Sequence, residues 1–97
     1  MARIYEIRGL DGSGICSVFL AGRDRMEIGG EVRRMFEKRA KDISPGMVEK
    51  FARSREDRLK IDHENGAICC LSPEEEEIAH KIKSYVDRFK RINRERG

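Results

Sequence analysis

The 97-residue sequence has no long apolar run, few aromatic residues and an odd number of cysteines. No segment approaches the roughly 20 consecutive apolar residues that cross a bilayer. The opening MARIYEIRG lacks the uninterrupted apolar stretch of a secretory signal. Three cysteines without such a signal argue against a disulfide framework. We therefore expect a soluble cytoplasmic protein with reduced thiols and no membrane partner.

Motifs that carry chemistry are also missing. The sequence contains no GxSxG, HExxH or Walker A pattern, no dinucleotide-binding fingerprint and no CxxC pair. The alternative is a metal site formed by Cys16, His63 and Cys70. Cys69 is left out of this set because it is adjacent to Cys70, so the two side chains would point to opposite faces of a strand and could not both bind one ion. Buried thiols that act as small apolar side chains are the favoured interpretation. We predict no catalytic residue and no cofactor.

Charge is what the sequence has in abundance. Charged residues make up 40% of the chain, yet their signs are mixed and the net charge is only +3. Such interleaving is typical of surface ion-pair networks and favours a thermophilic source. Ile, Leu, Val and Phe total 22 residues, slightly above the roughly 20% below which disorder is expected. One folded domain over residues 1–97, with a thin core, is therefore predicted.

The N-terminal segment predicts a β-hairpin. Residues 3–8 (RIYEIR) and 15–21 (ICSVFLA) are β-branched or aromatic runs, joined through the glycine-rich stretch RGLDGSGIC. A phosphate-binding loop would feed a helix, whereas these glycines precede a strand, so we interpret the stretch as a turn with Asp11 or Ser13 bonding its backbone. Because residues 15–20 are almost wholly apolar, we expect them to lie centrally in a sheet or to meet a partner subunit on one face.

Two short helices are predicted next. The Gly29-Gly30 pair interrupts any helix that begins at Arg23, so residues 23–30 are expected to form a loop or short turn. Apolar residues at helical spacing predict a helix over about residues 31–41. Ser44-Pro45 supplies an N-cap and a first-turn proline, which predicts a second helix directly afterwards.

A second hairpin is predicted around Asn65-Gly66, the preferred pair for a two-residue type I′ turn. This turn would pair Glu64 with Ala67 and His63 with Ile68. One face of the hairpin is expected to be buried, and it combines Leu59, Ile61, His63, Ile68 and Cys70.

A long C-terminal helix is predicted from Ser72-Pro73 onward, with Ser72 and Glu75 forming a capping box. One apolar stripe of this helix is expected to pack on the sheet: Ile78, Ile82, Tyr85, Val86, Phe89 and Ile92. The element order is therefore ββααββα. We predict an α+β two-layer sandwich, with an antiparallel sheet of about four strands (two hairpins) and three helices mainly on one side.

Basic residues on two helices provide a candidate nucleic-acid surface. Residues 81–97 hold seven basic and two acidic residues, and residues 23–41 hold seven and four. The candidate contacts are Arg33, Arg34, Lys83, Lys90, Arg91 and Arg94. The alternative is a solvated helix face, because acids first and bases last complement the helix dipole, and Glu77–Lys81 and Asp87–Arg91 are i,i+4 pairs.

Aromatic residues that could stack on nucleic-acid bases are few. Phe36, Phe51, Tyr85 and Phe89 sit at core spacing, which leaves Tyr5 for an open sheet face. The favoured hypothesis is therefore a small non-catalytic interaction domain, which either self-associates as a homodimer or binds a protein partner. The alternatives are a basic nucleic-acid-binding protein and a small-molecule or metal-binding protein.

Overall fold

The computed structural model describes the backbone of residues 3–53 and 59–96 and the side chains of residues 3–52 and 59–90. Its elements are β1 (Arg3–Arg8), β2 (Gly14–Leu20), α1 (Arg25–Ile43), α2 (Pro45–Arg53), β3 (Lys60–Asp62), β4 (Ala67–Cys69) and α3 (Pro73–Arg96). The predicted order ββααββα and the α+β class are confirmed. Within the described ranges, no helix is long and apolar enough to cross a membrane.

The sheet has the strand order β2-β1-β4-β3 and is mixed. Both hairpins are antiparallel as predicted, but β1 and β4 run parallel, so the prediction of a fully antiparallel sheet was wrong. The backbone N–H of Glu6 donates to the Gly66 carbonyl at 2.8 Å, and the Cys70 N–H donates to the Arg8 carbonyl at 2.9 Å. The two helices between the hairpins supply the long crossover that a parallel pair requires.

Strand β2 lies at one edge of the described sheet, so the expected central position of residues 15–20 was wrong. Val18 and Leu20 are buried, whereas Ser17 and Phe19 are exposed. The apolar run therefore has one covered face, and composition alone misled because Phe19 fills a solvent-facing position.

The glycine-rich stretch is the turn of the first hairpin, as predicted. The N–H of Gly9 donates to the Ser13 carbonyl at 2.9 Å, and Gly12 takes φ 84°, a region that favours glycine. Asp11 Oδ1 accepts from both the N–H and the hydroxyl of Ser13. The tip is also tied to α3, because the Leu10 N–H donates to Glu76 Oε2 at 2.8 Å.

Helix α1 begins well before the predicted position, so the expectation of a loop over residues 23–30 was wrong. Asp24 is the N-cap and its carboxylate accepts from the Glu27 N–H at 2.9 Å, while Glu27 accepts from the Arg23 N–H at 2.7 Å. Ile28, four residues before Val32, extends the buried stripe of the helix. The cap and this burial offset the cost of about 1 kcal/mol for each glycine of the Gly29-Gly30 pair.

Helix α2 follows the prediction from Ser44-Pro45. The Ser44 hydroxyl accepts from the Met47 N–H at 3.1 Å, which satisfies one free donor of the first turn. Met47 and Phe51 are buried, and the Phe51 ring stacks on Phe36 of α1 with centroids 6.3 Å apart.

The second hairpin has a different register from the predicted one. Asp62 pairs with Ala67 and Ile61 with Ile68, which leaves a four-residue connection in place of a two-residue type I′ turn. The Asp62 carboxylate accepts from the Glu64 and Asn65 N–H groups and from the Asn65 side chain, and this competing cap draws Asn65 into the turn. The two-residue shift keeps Ile61 and Ile68 on one face.

Helix α3 begins at the predicted N-cap, Ser72, while the glutamate of the predicted capping box reaches back to Leu71, one residue before the cap. Ser72 Oγ accepts from the Glu75 N–H at 3.2 Å, and the fully buried Glu75 carboxylate accepts from the Leu71 N–H at 2.7 Å. Ile78 and Ile82 are buried as expected, but Tyr85 and Phe89 are each more than half exposed. The predicted stripe is thus correct only for its first half, because the helix is longer than the core beneath it; the Ile92 side chain lies outside the described residues.

The core joins the inner face of the sheet to all three helices. Tyr5 belongs to it, and its hydroxyl lies 3.2 Å from His63 Nδ1, so its predicted place on an open face was wrong. The buried cluster comprises Tyr5, Ile7, Val18, Leu20, Ile28, Val32, Phe36, Ala40, Met47, Phe51, Ile68, Cys70, Ile78, Ala79 and Ile82.

Candidate functional site

Two strands present an exposed apolar pair on the face of the sheet opposite the core. Side chains alternate along a strand, so the residues between the buried Tyr5, Ile7 and Val18 point away from the core. We call this surface the outer sheet face and define it by Ile4, Glu6, Arg8, Ser17 and Phe19. Ile4 is 60% exposed and Phe19 is 74% exposed.

Ile4 and Phe19 are direct cross-strand partners. Glu6 and Arg8 direct their backbone groups toward β4, so the alternate residues of β1 bond to β2. Ile4 and Phe19 therefore form a non-hydrogen-bonded pair, in which Cα atoms are about 4.5 Å apart and the side chains lie closest. The result is one continuous apolar patch and not two isolated side chains.

The two charged residues of the outer sheet face are already paired with each other. Arg8 Nε donates to Glu6 Oε1 at 2.8 Å, and this hydrogen bond, with the charge of Glu6, raises the pKa of Arg8. The ion pair lies beside the apolar patch on the same strand. It leaves Ile4 and Phe19 as the part of this surface that gains most from being covered.

The thiols and the imidazole proposed as metal ligands occupy separate environments. Burial, followed by the charges of Glu75 and Glu76, raises the pKa of Cys70 to about 12. Burial and then Asp87 raise the pKa of the half-buried Cys16 thiol, and His63 is bound to Tyr5. Across residues 3–52 and 59–90, no three His, Cys, Asp or Glu side chains come together in a way that could hold a metal ion.

The predicted nucleic-acid contacts are partly engaged within their own helices. Arg33 Nε lies 3.1 Å from Glu37, and Lys83 Nζ lies 2.8 Å from Asp87. Arg34 and Lys90 are exposed. Arg91 and Arg94 fall in α3, where their side chains lie outside the described residues, and the expected Asp87–Arg91 pair lies outside them for the same reason.

Helices α1 and α3 pack against each other, a relationship that the sequence left open. The guanidinium of Arg39 lies over the Tyr85 ring, 4.4 Å from its centroid. Tyr85 and Phe89 are exposed aromatic side chains on a helix rich in lysine and arginine. In the sequence, their helical spacing suggested core positions. Only the length of α3 relative to the core could have shown that these two side chains would be exposed.

A surface pocket of about 440 Å³ opens at the start of α1. Basic groups dominate one part of its lining, namely Arg3, Arg23, Arg25 and His63. Asp24 and Glu64 also line it, and Asp24 and Glu27 already supply the negative charge that a helix N-terminus favours. The chain's own carboxylates thus occupy the place that a bound anion would take.

Comparison of this chain with protein-family models, curated proteins and solved structures finds no match. Its function is therefore inferred from the chemistry of its own surfaces.

Proposed function

We propose that this chain is a small non-catalytic protein-interaction domain that self-associates through its outer sheet face. The observation that carries the proposal is the cross-strand pair of Ile4 and Phe19, both more than half exposed. Covering a side chain of this size gains about 1.5–3 kcal/mol. Two such residues in contact supply the apolar centre that a modest interface needs.

The wider architecture is consistent with this role. The core cluster combines inner-face strand residues with residues from all three helices. We infer a two-layer sandwich in which the helices cover one face of the sheet and the other face is left for a partner. A cytoplasmic location with reduced thiols belongs to the same proposal.

Light scattering after gel filtration, over about 1–200 μM protein, tests the self-association. The wild-type mass is expected to rise from monomer to dimer across this range, which corresponds to a micromolar dissociation constant. Ile4→Glu places a charge at the centre of the apolar patch and is expected to keep the chain monomeric. A wild-type chain that is monomeric at every concentration would contradict the proposal.

The matched control is Met26→Glu. Met26 is 86% exposed on α1 and lies outside the outer sheet face, so an equal change from an apolar to an acidic side chain is expected to leave the dimer intact. If both variants weakened association equally, the outer sheet face would have no specific role.

A second candidate function is the binding of single-stranded nucleic acid by α3. The supporting observation is that Tyr85 and Phe89 are exposed beside Lys81, Lys83, Arg88 and Lys90, since bases stack on aromatic rings while cations contact phosphates. Titration with single-stranded RNA and with duplex DNA at two salt concentrations tests it. Binding that falls steeply with salt and is weakened by Phe89→Ser, but not by Phe19→Ser, would support this function.

A further inference from the structure

The edge of β2 carries backbone groups with a definite direction. Glu6 and Arg8 bond to β4, so Tyr5 and Ile7 bond to their β2 partners Val18 and Cys16. Successive residues of a strand direct their N–H and C=O groups to opposite sides. Ser17 and Phe19 therefore direct theirs away from β1, toward the edge of the described sheet.

The two edges of the described sheet differ in how they are protected. The β3 edge is three residues long and carries Lys60, and both a short strand and an edge lysine discourage further pairing. The β2 edge is seven residues long, and no charged residue or proline occurs from Ser13 to Gly22. Its one irregularity is the register shift opposite Ile7 and Arg8, at the far end from Phe19.

We propose that two copies of this chain associate edge to edge, with β2 of one copy pairing antiparallel to β2 of the other about a two-fold axis at Val18. The inference rests on the proposed self-association and places its backbone hydrogen bonds at the β2 edge, which borders the outer sheet face at Phe19. The regular part of β2 spans residues 16–20, and Val18 is its midpoint. An axis there pairs Ser17 with Phe19 of the second copy, so the outward N–H and C=O groups of both residues form four hydrogen bonds.

This register also brings the apolar patches of the two copies side by side. Phe19 lies opposite Ser17 of the second copy and diagonal to Phe19 of that copy, at a separation of about 7–8 Å that aromatic side chains can bridge. Ile4 stands on the other side of Phe19. The Ile4–Phe19 pairs of the two copies therefore meet at the two-fold axis. Together they form one apolar strip on the outer face of a continuous eight-stranded sheet.

Charges at the ends of β2 favour the same antiparallel arrangement. The exposed Asp11 precedes the strand, and the exposed Arg23 and Arg25 follow it, while the carboxylate of Asp24 between them is engaged as the N-cap of α1. Antiparallel pairing brings the beginning of one strand beside the end of the other, so Asp11 of each copy lies near the arginines of the second copy. A parallel arrangement would place like charges together.

Ser17→Pro is the decisive variant. The Ser17 N–H points away from β1, so proline removes no bond within the chain and is a residue that edge strands tolerate. The variant is expected to fold and to raise the dimer dissociation constant at least roughly tenfold, because it deletes one donor from each copy and blocks close approach. The matched control, Ser17→Thr, keeps the N–H and is expected to dimerise like the wild type.

Amide hydrogen exchange of the wild-type chain provides a second test that needs no variant. The Ser17 and Phe19 amides are expected to exchange fast in dilute protein and at least roughly tenfold more slowly in concentrated protein, whereas the Val18 amide is protected in both. A dimer that survives Ser17→Pro, with fast exchange at Ser17 and Phe19, would overturn edge pairing and leave face-to-face association through Ile4 and Phe19. Absence of any dimer would overturn the proposed function as well.

Discussion

The guanidinium of Arg39 lies 4.4 Å from the centroid of the Tyr85 ring and thereby joins α1 to α3. The side chain of Arg39 is only 13% exposed, and its Nη1 also lies 3.0 Å from Asp42. A cation held over an aromatic face at reduced exposure contributes more than one in open water. This contact explains how Tyr85 can be partly exposed and still hold a fixed place on the structure.

Arg39→Met is expected to lower the free energy of unfolding by about 1 kcal/mol, measured by urea denaturation. Methionine keeps the apolar length of the side chain but removes the cation. Arg33→Met is the control, because Arg33 is well exposed and its pair with Glu37 contributes at most about 0.5 kcal/mol. A double-mutant cycle with Tyr85→Leu should show coupling, and strictly additive effects would disprove the contact's energetic role.

Gly29→Ala is expected to raise the free energy of unfolding by about 1 kcal/mol, because alanine is the better helix former. An added Cβ at Gly29 meets no atom within 4 Å, so the gain is not opposed by a clash. Gly12→Ala is the contrasting change: φ 84° is costly for alanine, and this variant should lose about 1 kcal/mol. Thermal unfolding followed by circular dichroism measures both, and a loss of stability in Gly29→Ala would contradict the continuous helix.

The turn at Asp62 makes the chain less stable in acid. Hydrogen bonds from the Asn65 side chain, and then from the Asn65 backbone, hold the pKa of Asp62 below its ordinary value of 3.8. The ionised form therefore favours folding at pH values above 3.8, and its contribution is lost as pH falls through the lower folded-state pKa. Asp11, bonded to Ser13, and Asp87, bonded to Lys83, have the same sign.

Asp62→Asn removes this titration but keeps an oxygen for the two backbone donors. The urea midpoint of the variant should lie below that of the wild type at about pH 6, and the difference should shrink as the pH falls below 3.8 and through the lower folded-state pKa of Asp62. Glu77→Gln, at an exposed residue of α3 outside the turn, is the control. An offset between wild type and Asp62→Asn that is constant with pH would show that Asp62 acts only through its shape.

The three thiols should react in a definite order. Burial raises the pKa of Cys70 to about 12, so almost no thiolate is present at about pH 8. Cys69 lies on the opposite face of the hairpin and is partly exposed. Alkylation followed by peptide mass spectrometry should therefore modify Cys69 first and Cys70 last, and urea should remove the difference. Modification of Cys70 in the folded chain as fast as Cys69 would contradict its place in the core.

Features governed by neighbouring residues were predictable from the sequence. The caps at Ser44 and Ser72, the proline that follows each and the glycine turn before β2 all depend on contacts within a few positions. The alternation that turns Ile61 and Ile68 toward the core is equally local and survives the change of register.

Features set by distant contacts were not predictable. The parallel alignment of β1 with β4 depends on how two helices cross over, and it is this alignment that leaves β2 at the edge with Phe19 exposed. The start of α1 was missed because the penalty of two glycines was visible in the sequence, whereas the compensating burial of Ile28 was not. The same limit applies to Phe89, whose helical spacing carries no information about where the core ends.

The parallel seam between β1 and β4 also governs the order in which the chain can fold. Each hairpin can form from a short stretch of sequence, but the bond from the Glu6 N–H to the Gly66 carbonyl closes a loop that contains α1, α2 and β3. Such long-range closure is entropically expensive and slows folding relative to a helical bundle of equal length. Until β4 pairs with β1, the N-terminal hairpin exposes its two edges, one on β1 and one on β2, to other chains. Docking of β4 on β1 covers one of these edges, so in the folded chain the edge of the N-terminal hairpin that remains is β2.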